Sequence, residues 1–151
     1  MRRLAWLPPA AAILLLALVS TSLARVQTRH VVVVQGRGFR ELAWDARDKD
    51  KSLCFLIKSG KHTSSVCAQK IPPNGVSSTS FQDNKRTFTV VGGVTTKQVK
   101  KVRVVFFDGK QLTVRTKAGR AYKGRRRGKI RFWAVKRVSP SPLRAVLPVS
   151  S

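Results

Sequence analysis

The residues best equipped for chemistry lie in the segment 97–137, which is dense in lysine and arginine and holds one acid, Asp108. Within it, Arg120, Lys123, Arg125, Arg126, Arg127, Lys129 and Arg131 form a candidate anion-binding set. Gly119, Gly124 and Gly128 punctuate that run. A glycine-rich backbone lets several cationic side chains converge on one anion, and guanidinium groups grip phosphate or carboxylate through two parallel hydrogen bonds. Tyr122 and Trp133 stand among these cations. They are read as a candidate aromatic platform for bases or sugars. The competing reading is a solvated basic surface, with Trp133 packed in a second core layer.

Other constellations are weaker. Asp45, Asp48 and Asp50 suggest calcium as a cluster of acids, but the spacing lacks the glycine and terminal glutamate of an EF-hand loop. Arg47, Lys49 and Lys51 would also oppose the ion. A solvated turn is the simpler reading. His30, Cys54, His62 and Cys67 have no familiar zinc spacing. Only His30 and His62 offer an imidazole base, and no nucleophile stands beside either in sequence. No paired carboxylates suit glycoside hydrolysis. No glycine-rich phosphate loop leads into a helix. The sequence therefore reads as non-enzymatic, with no cofactor and no metal.

Cys54 and Cys67 are the only cysteines. An even count in an exported chain predicts one disulfide, and closing a loop of this length stabilises by about 3 kcal/mol in the chain-entropy model. Two free buried thiols are the alternative.

Export itself is read from residues 1–24. Arg2 and Arg3 supply a positive start, residues 10–19 (AAAILLLALV) an apolar stretch, and Ser22-Leu23-Ala24 a small-residue cleavage site before Arg25. The apolar stretch is shorter than the roughly 20 residues a spanning helix needs. Pro8 and Pro9 interrupt any longer helix. The lesser alternative is an uncleaved anchor over residues 4–23. The expected location is secreted or cell-surface.

The elements that must position the candidate residues are strands. No sustained helical stripe appears; short β-rich runs alternate with turn residues. Residues 30–35 (HVVVVQ) and 39–45 read as strands. Leu53, Phe55 and Ile57 alternate with the period of a half-buried strand, and residues 64–69 return beside them after Ser59-Gly60-Lys61. That hairpin would bring the cysteines within bridging range. Residues 72–80, opening with Pro-Pro-Asn-Gly, read as a loop. Residues 87–91 open the second half. Residues 102–107 and 111–116 flank Asp108-Gly109 as a hairpin. Residues 117–128 are a basic loop, and 129–135 alternate Ile130, Phe132 and Ala134 against Arg131, Trp133 and Val135. Pro140, Pro142 and Pro148 mark an extended tail with a short edge strand at 144–147.

The chain of 151 residues carries 31 Lys+Arg against 6 Asp+Glu, a formal +25, with 42% hydrophobic residues. That hydrophobic share supports a modest core and excludes disorder throughout. Such a field attracts polyanions, more strongly at low salt. The predicted organisation is a leader at 1–24, one basic domain at 25–138, and a proline-containing tail at 139–151. The predicted fold is all-β, an antiparallel β-sandwich or small partly open barrel.

Two stretches carry a resemblance. One runs from Gly38-Phe39-Arg40-Glu41-Leu42-Ala43-Trp44 through Leu53-Cys54-Phe55-Leu56 to Val66-Cys67. The other joins Gly93-Val94, then Val99, Val102 and Val104, to Asp108-Gly109-Lys110. Together they resemble a loosely defined group of exported or membrane-tethered actinobacterial proteins with a small β-sandwich ectodomain. The chain is far more basic than that group and lacks a further acidic-glycine turn after Val135. The resemblance implies fold and location, and no activity.

The functional expectation is a binding or structural protein of the cell envelope, docking on anionic polymer or lipid. The alternative is a sensory or protein-interaction ectodomain whose basic surface is incidental. Nucleic acid is chemically as good a partner, but binding would be nonspecific, since no nucleic-acid module is present.

Overall fold

The computed structural model describes residues 30–46, 52–83, 85 and 87–149. The expected leader and the turn at 48–51 lie outside these. Among the described residues there is no helix. Ten strands form three antiparallel sheets, and none closes into a barrel. The all-β antiparallel expectation holds, with three sheets rather than the two of a simple sandwich.

The first sheet is an up-and-down meander of β1 (Val31–Gly36), β2 (Phe39–Asp45), β3 (Leu53–Ser59) and β4 (His62–Ala68). Alternation decides its faces. Ala43, Leu53, Phe55 and Ile57 turn inward and are fully buried, while Arg40 and Lys58 turn outward. Cys54 lies directly opposite Cys67. Their sulfurs are at disulfide distance, with Cα atoms 4.0 Å apart.

The second sheet has the order β5 (Val76–Gln82), β6 (Thr89–Thr96), β9 (Ile130–Arg137). It lies between the other two sheets. Every residue of β6 but the last is buried. On β9, Ile130, Phe132 and Ala134 pack with Val33, Leu53 and Phe55 of the first sheet. Trp133 points the other way, into a second core with Val102, Val104 and Phe106. Those residues belong to the third sheet, ordered β10 (Leu143–Val149), β7 (Lys101–Phe106), β8 (Gln111–Arg115). Each fully buried Val or Phe contributes about 1.5–3 kcal/mol relative to exposure.

One sequence expectation needs correction. Residues 76–80, read as loop, belong to β5, which pairs along its whole length with β6. Only residues 72–75 turn: Gly75 N donates to Pro72 O at 2.8 Å, and Asn74 takes φ 55°. That is the geometry of a turn with Pro at its second position and a left-handed residue at its third. The edge strand expected at 144–147 forms as β10, Leu143–Val149, which pairs with β7 and joins the tail to the third sheet. The β7–β8 hairpin forms as expected around Asp108-Gly109, with Gly109 at positive φ. Gly109 N donates to Phe106 O, and Phe106 N to Lys110 O.

Gly92 and Gly93 make the central position of β6 workable. A Cβ on Gly92 would meet Ile57 Cδ1 at 2.8 Å, and one on Gly93 would overlap the Ser77 carbonyl of β5. Because the Gly93 clash is with backbone, it cannot be relieved by a rotamer change. Gly93→Ala is expected to lower stability by about 1–3 kcal/mol by overpacking. A chemical-denaturation midpoint equal to wild type would contradict this.

Glu41 occupies an inward position of β2, between Val34 on β1 and Ile57 on β3. It is fully buried, and both carboxylate oxygens lack a partner among the described residues. Burial pushes its pKa well above the usual carboxylate value. The unfolded chain loses this proton near pH 4.3, whereas the folded one retains it. Stability therefore falls as pH rises above that value. Urea midpoints of wild type should decline from pH 5 upward, by at most about 1.4 kcal/mol per pH unit. Glu41→Gln should flatten that limb; an unchanged slope would show that another group controls it.

Candidate anion-binding surface

The segment joining β8 to β9 is an ordered loop docked on the end of the first sheet. Lys117 and Phe132 exchange two backbone hydrogen bonds at 2.6 and 2.7 Å. Gly119, at φ 59°, lies against the Phe132 ring, where any Cβ would overlap it. Tyr122 then enters the first core edge-to-face with Phe132, the ring centroids 5.6 Å apart. Its hydroxyl donates to Asp45 Oδ1, and Arg125 N donates to Asp45 Oδ2 at 2.9 Å. Burial, followed by this carboxylate, raises the Tyr122 pKa, so the phenol stays protonated as a donor.

These contacts sort the candidate residues. Arg126 is an anchor: Nη1 donates to Ala68 O at 3.0 Å and Nη2 to Gln69 O, pinning the loop to the end of β4. Arg131 is held through Nε to Thr116 Oγ1 and Nη2 to Thr116 O, both at 2.6 Å. Arg120, Lys123, Arg125, Arg127 and Lys129 are exposed. The aromatic platform does not exist. Tyr122 is 2% exposed and Trp133 0%. Packing against the two cores leaves neither ring a face for a ligand, and Trp133 sits in the second core layer.

Other cations of the segment 97–137 lie outside the candidate set. Lys97 N donates to Lys129 O at 3.0 Å, and Thr116 N to Lys100 O at 2.9 Å. Lys101 on β7 lies directly opposite Arg115 on β8, both exposed on the outer face of the third sheet. Like charges so placed repel. The backbone contacts join the β6–β7 turn to the end of the loop at Lys129, and to the residue that follows β8 at Thr116. Alternation of the β7 and β8 residues would have put Lys101 and Arg115 on one face. The meeting of Lys97 with Lys129 needed the β6–β9 pairing.

Asp108 and Asp83 are engaged elsewhere. Asp108 pairs with Arg137 Nη2 at 2.5 Å and Nη1 at 3.0 Å. That guanidinium is the main reason its pKa is lowered to about 2. For Asp83, burial acts upward, but hydrogen bonds from Phe88 N and Thr87 Oγ1 bring the pKa down. No group of three or more His, Cys, Asp or Glu that could hold a metal occurs among the described residues. His30 stacks on Trp44 at 4.3 Å, and His62 lies beside Phe81 and Phe88. No family model, curated protein or solved structure matches the chain.

Arg126→Ser removes two charged donors from backbone carbonyls and should cost about 1–3 kcal/mol of stability. Arg125→Ser keeps the main-chain donor to Asp45, and Arg127→Ser alters only an exposed side chain. Both should change stability by less than about 0.5 kcal/mol. Thermal midpoints of the three variants test this ordering; equal losses would refute it.

Proposed function

We propose that the protein is an exported, non-enzymatic binding protein of the cell envelope that docks on anionic polymer or lipid through its cationic end. The carrying observation is the concentration of exposed cations on the loop, Arg120, Lys123, Arg125, Arg127 and Lys129, with Lys97 bonded to the Lys129 carbonyl and the opposed pair Lys101 and Arg115 on the third sheet. The one described carboxylate that the loop reaches, Asp45, already accepts hydrogen bonds from Tyr122 and Arg125. Such an array keeps its field available to a polyanion. Each neutralised phosphate or sulfate releases condensed counterions, which makes binding strongly salt-dependent. The leader-like start of the sequence and the cysteine pair at disulfide distance support an oxidising, extracytoplasmic setting. No described helix is long and apolar enough to cross a membrane.

The test uses Arg125→Ser/Arg127→Ser combined with Lys101→Ser/Arg115→Ser, leaving the anchor Arg126 intact. Retention on immobilised sulfated polysaccharide and on phosphatidylglycerol vesicles should fall at least tenfold at low salt, and the salt dependence should become shallower. Retention equal to wild type on both supports would overturn the proposal. Capture of a discrete protein partner that survives high salt, with no retention on either support, would favour the protein-interaction alternative instead.

A further inference from the structure

The opposite end of the first sheet carries a second cationic feature, built independently of the loop. Arg40 on β2 lies directly opposite Lys58 on β3, both on the outward face. Gln35 flanks Arg40 on β1. These side chains line an open depression of about 320 Å³ that reaches Gly36, Gly38 and Gly60 of the two hairpin turns. Missing side chains shape it. A Cβ on Gly36 would overlap the Phe39 ring, and the space where a Gly60 Cβ would project is open. Gly38 and Gly60 take φ 73° and 59°, which an L side chain rarely adopts.

Among the described residues no carboxylate lines this depression. Glu41, the next residue along β2, faces the core from the other side of the sheet. Neither Arg40 nor Lys58 makes an ion pair among the described residues. The Lys136 ammonium approaches the same turns from β9, 3.3 Å from Ser59 Oγ and 3.7 Å from the centre of the Phe88 ring, and adds to the local positive potential. Two opposed cations over an open floor are poorly placed for each other and well placed for an oxyanion between them. A guanidinium supplies paired donors, and an ammonium a point charge.

We propose that this depression binds one oxyanion group, phosphate, sulfate or carboxylate, borne on an anionic polymer. Arg40 and Asp45, where the loop docks, are five positions apart on β2, about 17 Å. The two sites are too far apart to share one charged group. Resting on the polyanion reading above, the protein then holds two polymer segments at once and cross-links them, with the gain in apparent affinity that linked sites confer.

Inorganic tripolyphosphate, too short to span the two ends, is the probe. Titrated into the wild-type protein, it should shift the amide resonances of Gly36, Gly38 and Gly60 saturably. In Arg40→Ser/Lys58→Ser those shifts should weaken at least tenfold, while the resonances of Lys101 and Arg115 still respond. The double variant should also be no less stable than wild type at low salt, because it relieves a like-charge contact. Lys58→Gln, which retains chain length, serves as a milder check. Glycine amides that stay still in wild type, or that respond equally in the double variant, would overturn the second site while leaving the first intact. Loss of response at Lys101 and Arg115 alone would instead count against the polyanion reading. Two populations of polyphosphate-coated beads should be joined by wild type and not by Arg40→Ser/Lys58→Ser.

Discussion

The central sheet has packed side chains on both faces, and that double burial governs where charge can go. β5 and β6 contain no charged residue, and the cations of β9 stand at its two ends. A charge in the middle of this layer would face one core or the other without water. The lysines and arginines are therefore driven to the outer faces of the flanking sheets, to the turns and to the connecting loop. Segregation of charge follows from burial.

Placing that much positive charge on a small domain carries a cost in self-repulsion. Several contacts oppose it. The cysteine pair fastens neighbouring strands of the first sheet. Asp45 ties the loop to the end of β2 through Tyr122 and Arg125, and Arg126 ties it to the carbonyls that end β4. Asp108, in the β7–β8 turn of the third sheet, engages Arg137 of β9 in the middle sheet. Among the described acids, Asp45, Asp83 and Asp108 are thus spent on fixing local geometry, which leaves most described cations facing solvent. Glu41 is the exception, buried where no partner reaches it.

Much of this architecture was legible in the residues. Leu53, Phe55 and Ile57 announce a strand by alternation, and so do Ile130, Phe132 and Ala134. The opposition of Cys54 and Cys67 follows from a hairpin turning at Gly60. β5 escaped because VSSTSFQ has few apolar residues and follows a Pro-Pro-Asn-Gly turn. Its pairing is decided by β6, whose glycines admit the close approach of Ser77. The candidate site was only half visible. Arginine density marked the loop, yet nothing local distinguishes Arg126, an anchor, from exposed Arg125 and Arg127. Burial of Tyr122 and Trp133 depends on partners far along the chain. The facing of Arg40 and Lys58 required register, which a list of strands does not supply.

The strand order has a consequence for how the chain reaches this state. The first sheet closes through successive hairpins, each joining neighbours in sequence. The middle layer is different: β9 adds beside β6 only after the β7–β8 hairpin and the long basic loop have been traversed. β10 must then return to β7 on the side away from β8. Closure of long segments is entropically costly before the contacts that reward it exist, and sheets built this way form slowly. The meander thus furnishes an early platform, and the inner apolar strands stay uncovered longest. Their exposure during that interval sets the window in which chains can associate wrongly.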